Sequence, residues 1–479
     1  MSPLGVSKGI SVKKEENFSQ WYQELILKAE LADYSSVSGC MILRPRSYAI
    51  WEKIKEFVDA KLKEAGIEDA YFPIFIPQSS FEKEKEHLKG FSPEVAWVTE
   101  AGNRKLSEKL AVRPTSETIM YESYAKWIRS WRDLPLRLNQ WNNAVRWEFN
   151  NPVPFLRSRE FLWNEGHSAF ATEDEALAEG KVLKQIYQES CEELMALPGL
   201  YGRKTDNEKF AGAVFTEKFH YYLQNGRVLE GPCFHHDGQN FSKAYNITFL
   251  DKDGNRQYVW QNTYAISTRM LGVMFVIHSD NRGLIVPPRL AENKIVIVPI
   301  ASGVDDELLK KAQELKMMLA EFSPIVDTRD YITTGEKFYD WELKGIPIRI
   351  ELGQRELKNK EVTLVKRNTF EKRVVKEADL KNAISETLEE IHNELFKNAE
   401  SLLYSNIEKA DTEKDFLKLI KAKKIVEIPL CRNAKCEETL KEISGGAKPL
   451  FISEHNAKGK KCIICGNDAD YYVYAAKTY

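Results

Sequence analysis

Apolar residues recur at helical spacing between Tyr48 and Ala65, at Ile50, Ile54, Phe57, Val58 and Leu62, and Gly66 stands where such a helix can end. The next apolar run, Ala70–Ile76, predicts a strand interrupted by Pro73. A proline cannot donate to a ladder, so it belongs at a sheet edge or bulge, which an interface can use. From Leu136 to Phe170 the period falls to two. Val145, Trp147 and Phe149 alternate with Arg146 and Glu148, which puts the two charged residues on one strand face. A turn follows at Asn150–Pro154. Then Arg157, Arg159, Phe161, Trp163, Glu165 and His167 take successive odd positions, all on one face if the strand is unbroken. Such a face is either a solvated sheet surface or the floor of a site for an anionic, aromatic ligand. Further on, Arg269 precedes an apolar run ending at His278, where a cation suits a phosphate or a surface salt bridge alike.

Past residue 288 the pattern changes. Val286–Asn293 (VPPRLAEN) reads as a linker, because adjacent prolines disfavour helix and central strand. Ile295–Ile300, Ile325–Val326, Ile346–Leu352 and Val362–Val365 read as strands. Asp305–Ala320 and Lys337–Leu343 read as helices between them, an α/β pattern. Charged helical sequence covers Leu380–Lys424, and a cysteine-bearing tail follows. The expected units are 1–288, 289–400 and 401–479.

Composition adds little against this: of 479 residues, 43% are hydrophobic and 29% charged, ordinary for a soluble globular chain. A net charge of -2 gives no global attraction to nucleic acid and leaves room for a local basic face. The opening MSPLGVSKGISVKKEENF has no apolar core of a secretory signal, and the longest apolar run, Leu271–Ile277, is too short to span a bilayer. A soluble, cytoplasmic protein is expected.

Cysteines change the picture twice. Cys431, Cys436, Cys462 and Cys465 form C-x4-C-x25-C-x2-C, two close pairs able to close a tetrahedron around a structural Zn²⁺ with no open position for chemistry. Cys233 lies in Glu230–Lys243 (EGPCFHHDGQNFSK), beside His235, His236 and Asp237. That cluster suggests a metal-dependent hydrolase. However, neighbouring strand residues face opposite ways, so His235 and His236 cannot readily share one ion.

Six stretches then carry a resemblance: RPTSET (Arg113–Thr118), NAVRWEF (Asn143–Phe149), PFLRSREFLWNEGHSAFAT (Pro154–Thr172), EKFAGA (Glu208–Ala213), GQNFSKA (Gly238–Ala244) and WELKGIPIR (Trp341–Arg349). Together the chain resembles the prolyl-tRNA synthetases of the archaeal/eukaryotic type, from about Phe18 to Tyr479. The resemblance implies an α+β fold: a class II catalytic domain on an antiparallel sheet with helices, an α/β anticodon-binding domain and a small C-terminal zinc-binding domain. It implies ATP-dependent activation of L-proline to prolyl-adenylate, with Mg²⁺ accompanying ATP, and transfer to tRNA(Pro). A homodimer would form through the helix ending at Gly66 and the strand bearing Pro73.

By the same resemblance, Arg146 and Arg269 are the catalytic arginines. Proline would be held by Thr115, Glu117, Arg146, Trp163, Glu165, His167, Phe210 and His235. ATP would be held by Arg146, Glu148, Arg157, Ser158, Glu230, Cys233, Ser267 and Arg269. Phe91 and Glu94 match a lid-like segment, and Glu342 and Arg349 match readers of the two anticodon guanines, a pairing that suits a carboxylate and an arginine. Only about ninety residues separate His167 from Tyr258, too few for the editing insertion of bacterial-type relatives, so no cis editing is expected.

The chain departs from the family pattern Q-G-x-T-S-H-H-L-G-Q-N-F-S at Glu230, Cys233, Phe234 and Asp237, and from S-W-G at Thr263, Tyr264 and Ala265. Phe215–Lys218 replaces Y-T-T-T, and Ser158 and Ser267 replace threonines. Glu230 adds a negative charge beside ATP. The alternative expectation is therefore a divergent paralogue, with lost or altered activation, that binds tRNA or regulates.

Overall fold

A computed structural model describes residues 9–81, 94–148, 151–300 and 305–479. Its centre is an eleven-stranded sheet. Its main path runs Ile407–Lys409, Ile425–Leu430, Tyr471–Thr478, Arg227–Gly238, Trp260–Ser267, Glu160–Phe170, Leu136–Val145 and Glu68–Asp69. Arg227–Gly238, Trp260–Ser267, Glu160–Phe170 and Leu136–Val145 pair antiparallel in sequence.

The helix expected from the apolar spacing is Pro45–Glu64. Pro45 opens it, Ile50, Ile54, Val58 and Leu62 are buried, and it ends at Ala65, with Gly66 beyond at φ +77°. It packs on the sheet's back with helix Glu173–Glu189 and the almost wholly buried helix Arg269–His278. Each fully buried aliphatic side chain there contributes about 1.5–3 kcal/mol.

Three expectations are corrected. Ala70–Ile76 is not one strand: Glu68–Asp69 pairs with the central sheet, and Phe75–Pro77 joins a separate sheet with Trp97–Ala101 and Arg104–Val112. Pro73 lies in the gap, where no ladder has to be served. The strand from Leu136 stops at Val145, so Arg146 and Glu148 share no strand face; Trp147 already turns, and Phe149 lies outside the described residues. Its partner begins only at Glu160, which leaves Arg157 and Arg159 outside the ladder. Pro152 and Pro154 supply no N–H to this hairpin tip, and Phe155 turns back at φ +60°. Phe161, Trp163, Glu165 and His167 do share one face.

The second sheet has five strands, ordered Ile325–Val326, Ile295–Pro299, Ile348–Leu352, Glu361–Lys366 and Lys372–Lys376, with helices Asp306–Met318 and Thr334–Lys344 between its early strands. Helix Leu380–Tyr404 leads to the last unit. That unit adds its strands to the central sheet: Tyr471–Thr478 runs parallel to Arg227–Gly238, with Arg227 opposite Lys477 and Val228 opposite Thr478. Among the described residues no helix is long and apolar enough to cross a membrane.

Candidate active site

The floor of the site is the face of Glu160–Phe170 that carries Phe161, Trp163, Glu165 and His167. One cavity of about 230 Å³ joins these to Thr115, Glu117, Arg146, Phe210, His235 and Arg269. Thus all eight residues assigned to proline line a single space. Gly166 sits between Glu165 and His167 because Tyr264 crosses beneath it: a Cβ there would stand 1.9 Å from the tyrosine ring.

At one end two carboxylates meet. Glu165 accepts from Ser116 N at 2.6 Å, Ser116 Oγ at 2.7 Å, Thr115 Oγ1 at 2.9 Å and Gln140 Nε2 at 3.2 Å, and His167 Nε2 lies 3.4 Å away. Burial alone would raise its pKa, but His167 and these donors hold it below the usual carboxylate range. Glu117 shares the single proton of the Thr115 hydroxyl with Glu165, and burial beside the Glu165 charge pushes its pKa upward. The loop carrying both is anchored by Arg113, buried itself, which donates to Phe72 O at 2.8 Å and Asn143 O at 3.1 Å. Glu117, Glu165 and His167 are close enough to share a cation. Glu165 is so fully occupied by hydrogen-bond donors that an ammonium, which brings its own protons to Glu117, fits better than a bare metal. Aromatic walls complete this end, Trp163 held by Asn142 Oδ1 at 2.6 Å, and Phe210 packed 4.8 Å from the His235 ring.

The other end is basic. Arg146 lies 5.3 Å over both Phe161 and Trp163 and donates through Nε to Pro114 O at 3.1 Å. Arg269 starts its helix and donates to Leu156 O at 3.2 Å and Glu230 O at 3.3 Å. Glu230 is not a bare negative charge. Its carboxylate meets Lys204 Nζ at 2.7 Å, Lys218 Nζ at 2.8 Å and Lys448 Nζ at 3.6 Å. Burial opposes its ionisation, and the three ammoniums overcome it, holding its pKa well below the ordinary value. Ser158, Cys233, Ser267 and Ala265 line this cavity too. Phe234 points the other way, into the core against Gly180. Glu148 and Arg157 are not among the lining residues; Glu148 is exposed. Phe91 lies outside the described residues, and Glu94 accepts from Trp147 N at 3.0 Å through its carbonyl.

The cluster at Cys233–Asp237 separates as strand alternation requires. His235 faces the cavity and bonds Thr216 Oγ1 at 2.7 Å. His236 faces away, bonded to Asn262 Oδ1 at 2.9 Å and stacked on Trp260. Burial and the nearby Lys218 keep His235 neutral.

In the second unit Glu342 is clamped by Arg349 at 2.8 Å and Arg282 at 2.9 Å, and Arg349 also meets Glu351 at 3.0 Å. They border a surface depression with Phe338 and Phe370. In the third, the Sγ atoms of Cys431, Cys436, Cys462 and Cys465 lie within 4.8 Å of one another; Cys431 is 3.5 Å from Cys436 and 3.8 Å from Cys465. A zinc tetrahedron with bonds of about 2.3 Å has sulfur edges of about 3.8 Å, so the four thiols fit Zn²⁺.

Sequence reasoning missed Lys204, Lys218 and Lys448 around Glu230, and Ser116 and Gln140 around Glu165. Lys218 stood in a noted departure, but its meaning depends on a cross-strand partner.

Known protein families match three parts of the chain. Residues 97–278 match the tRNA synthetase class II core domain (G, H, P, S and T), 294–387 an anticodon binding domain, and 413–479 the prolyl-tRNA synthetase C-terminal domain. The chain is 42% identical to a proline–tRNA ligase of Natranaerobius thermophilus, and the match covers 97% of each. Identity is 43% to the Clostridium novyi proline–tRNA ligase, again over 97% of each. It is 43% identical to the mouse bifunctional glutamate/proline–tRNA ligase, but spans only 33% of that protein's length. A crystal structure of prolyl-tRNA synthetase from Cryptosporidium parvum, complexed with halofuginone and AMPPNP, superposes with a TM-score of 0.95 at 40% identity, covering 98% of this chain and 100% of that one.

Proposed function

The chain belongs to the prolyl-tRNA synthetases, a family of class II proline–tRNA ligases, and from that membership we propose how its residues carry the reaction. Proline lies with its ring between Trp163, Phe210 and His235, and its secondary ammonium at Thr115 and Glu117, where Glu165 contributes a fixed negative field. Its carboxylate faces Arg146 and attacks the α-phosphorus of ATP. Pyrophosphate leaves towards Arg269, and prolyl-adenylate remains. The terminal hydroxyl of tRNA(Pro) then attacks the prolyl carbonyl and AMP leaves. No protein nucleophile is needed: the side chains position the reactants and stabilise charge at phosphorus. Mg²⁺ arrives with ATP and neutralises part of the phosphate charge. Glu148, Arg157, Ser158, Cys233 and Ser267 are assigned to the nucleotide, and Phe91 and Glu94 to a lid. The observation that carries this reading is one cavity with an acidic end, an aromatic wall and a basic end.

The same proposal covers the other parts. Units 1–288, 289–400 and 401–479 act as catalytic, anticodon-binding and zinc-binding domains. Glu342 and Arg349 exchange their mutual pairing for guanine edges of tRNA(Pro). Two copies pair around Pro73, where Tyr71 and Phe75 are exposed. Zn²⁺ on the four cysteines braces the last unit. The segment between His167 and Tyr258 supplies helices Glu173–Glu189 and Asn240–Ala244, three strands of the catalytic sheet and a two-stranded hairpin, which favours a chain without cis editing. A cytoplasmic setting suits its unpaired thiols. Proline-dependent exchange of pyrophosphate into ATP tests the reading: exchange above the proline-free rate is expected, and none with proline would refute it.

A further inference from the structure

The last unit reaches the nucleotide end of the catalytic cavity through one side chain. Lys448, on strand Ala447–Ile452, places Nζ 2.6 Å from Glu208 and 3.6 Å from Glu230. Its strand is tied down on both sides. Lys448 pairs with Ala476 on Tyr471–Thr478, and that strand joins Arg227–Gly238 at Val228, two residues before Glu230. Phe451 packs so closely on Gly202 that a Cβ there would stand 2.1 Å from its ring, and Thr205 donates to Glu437 at 3.1 Å. Glu230 in turn offers its backbone carbonyl to Arg269.

We infer that Lys448 is a positioning residue for ATP: by clamping Glu230 with Lys204 and Lys218, it fixes the backbone that orients Arg269, so the zinc-bearing unit is part of the nucleotide site. This rests on the ligase reading above, since Arg269 must face phosphate. A lysine acting merely as a distant positive charge, or as packing, makes different predictions. With Lys448 gone, Glu230 keeps two lysines but loses the one that comes from the last unit. The fault should therefore appear in ATP and not in proline, and only while residue 230 carries a carboxylate.

The test uses the full chain with Lys448→Met, Glu230→Gln and the double variant. Binding of AMPPNP is measured by calorimetry, and KM for ATP and for proline in pyrophosphate exchange. Lys448→Met is expected to weaken AMPPNP and raise KM for ATP by about fivefold, the scale of one partly exposed ion pair, with KM for proline unmoved. In the Glu230→Gln background the same change should have no further effect. An unchanged AMPPNP affinity in Lys448→Met overturns the inference even if exchange is normal. So does an equal rise in both KM values, or a fivefold effect that persists with Gln at 230. Absence of proline-dependent exchange in the parent chain refutes the ligase reading instead, while the binding arm still judges Lys448.

Discussion

The two ends of the cavity each contain a carboxylate that stays ionised, buried at Glu165 and half-buried at Glu230, and they achieve it in opposite ways. Glu165 is held by hydroxyls, an amide and a backbone N–H with His167 alongside, and among the described residues no lysine or arginine pairs with it, so it can still attract an ammonium. Glu230 is held by three ammoniums, so its charge is cancelled and the surroundings stay positive for phosphate. A carboxylate in an active site thus has no fixed electrostatic meaning. Its partners decide which substrate it favours.

The comparison can be broken most forcefully at Arg269. Arg269→Ala removes the cation proposed above to face the phosphates and should lower kcat/KM for exchange by about 10²–10³-fold; a loss below tenfold would place the phosphates elsewhere. At the acidic end Glu165→Gln should raise KM for proline by roughly 10–100-fold and move KM for ATP little, because one charged set of hydrogen bonds is lost. Equal changes in both constants would mean the ends are not electrostatically distinct.

How much of this contrast the chain reveals unaided depends on distance along it. Period-two alternation was enough to place Phe161, Trp163, Glu165 and His167 on one face and to split His235 from His236. It failed at Arg157 and Arg159, because alternation says nothing of where a strand starts, and the prolines of the hairpin tip delay it to Glu160. Most of the donors that cage Glu165, and all three lysines that cage Glu230, arrive from other elements. Lys204 and Lys448 have no local signature; both look like solvated lysines until strands pair. The fusion of the last unit with the catalytic sheet was equally hidden, since two residue pairs of parallel ladder leave no pattern in either strand.

Two smaller effects sharpen the contrast. Cys462→Ser/Cys465→Ser should reduce bound zinc in metal analysis, lower the melting temperature, and raise KM for ATP by more than KM for proline, because the last unit meets the basic end through Lys448. Undiminished zinc would reject the four-cysteine site. Smallest is the change at Glu179, another buried carboxyl, whose donors are Ser168 at 2.8 Å and Asn262 at 3.0 Å and whose nearby cation is Arg137. Burial raises it to about 7 from 4.5. The folded state then binds more protons than the unfolded one between those values, so stability falls as pH rises from about 4.5 to 7. Glu179→Gln should flatten that slope, and melting at pH 5 and pH 8 reads it; an unchanged slope would mean that two neutral donors and Arg137 suffice to ionise this buried carboxyl.

The parallel pairing of Tyr471–Thr478 with Arg227–Gly238 also matters while the protein is being made. A ribosome delivers the earlier strand long before the later one, so through that interval the end of Arg227–Gly238 at Arg227 and Val228 has open backbone donors and acceptors. An open edge invites pairing with other chains. The nascent polypeptide is therefore most vulnerable to aggregation in the interval between emergence of its catalytic core and arrival of that late strand, and a ribosome stalled between them would release a sticky product.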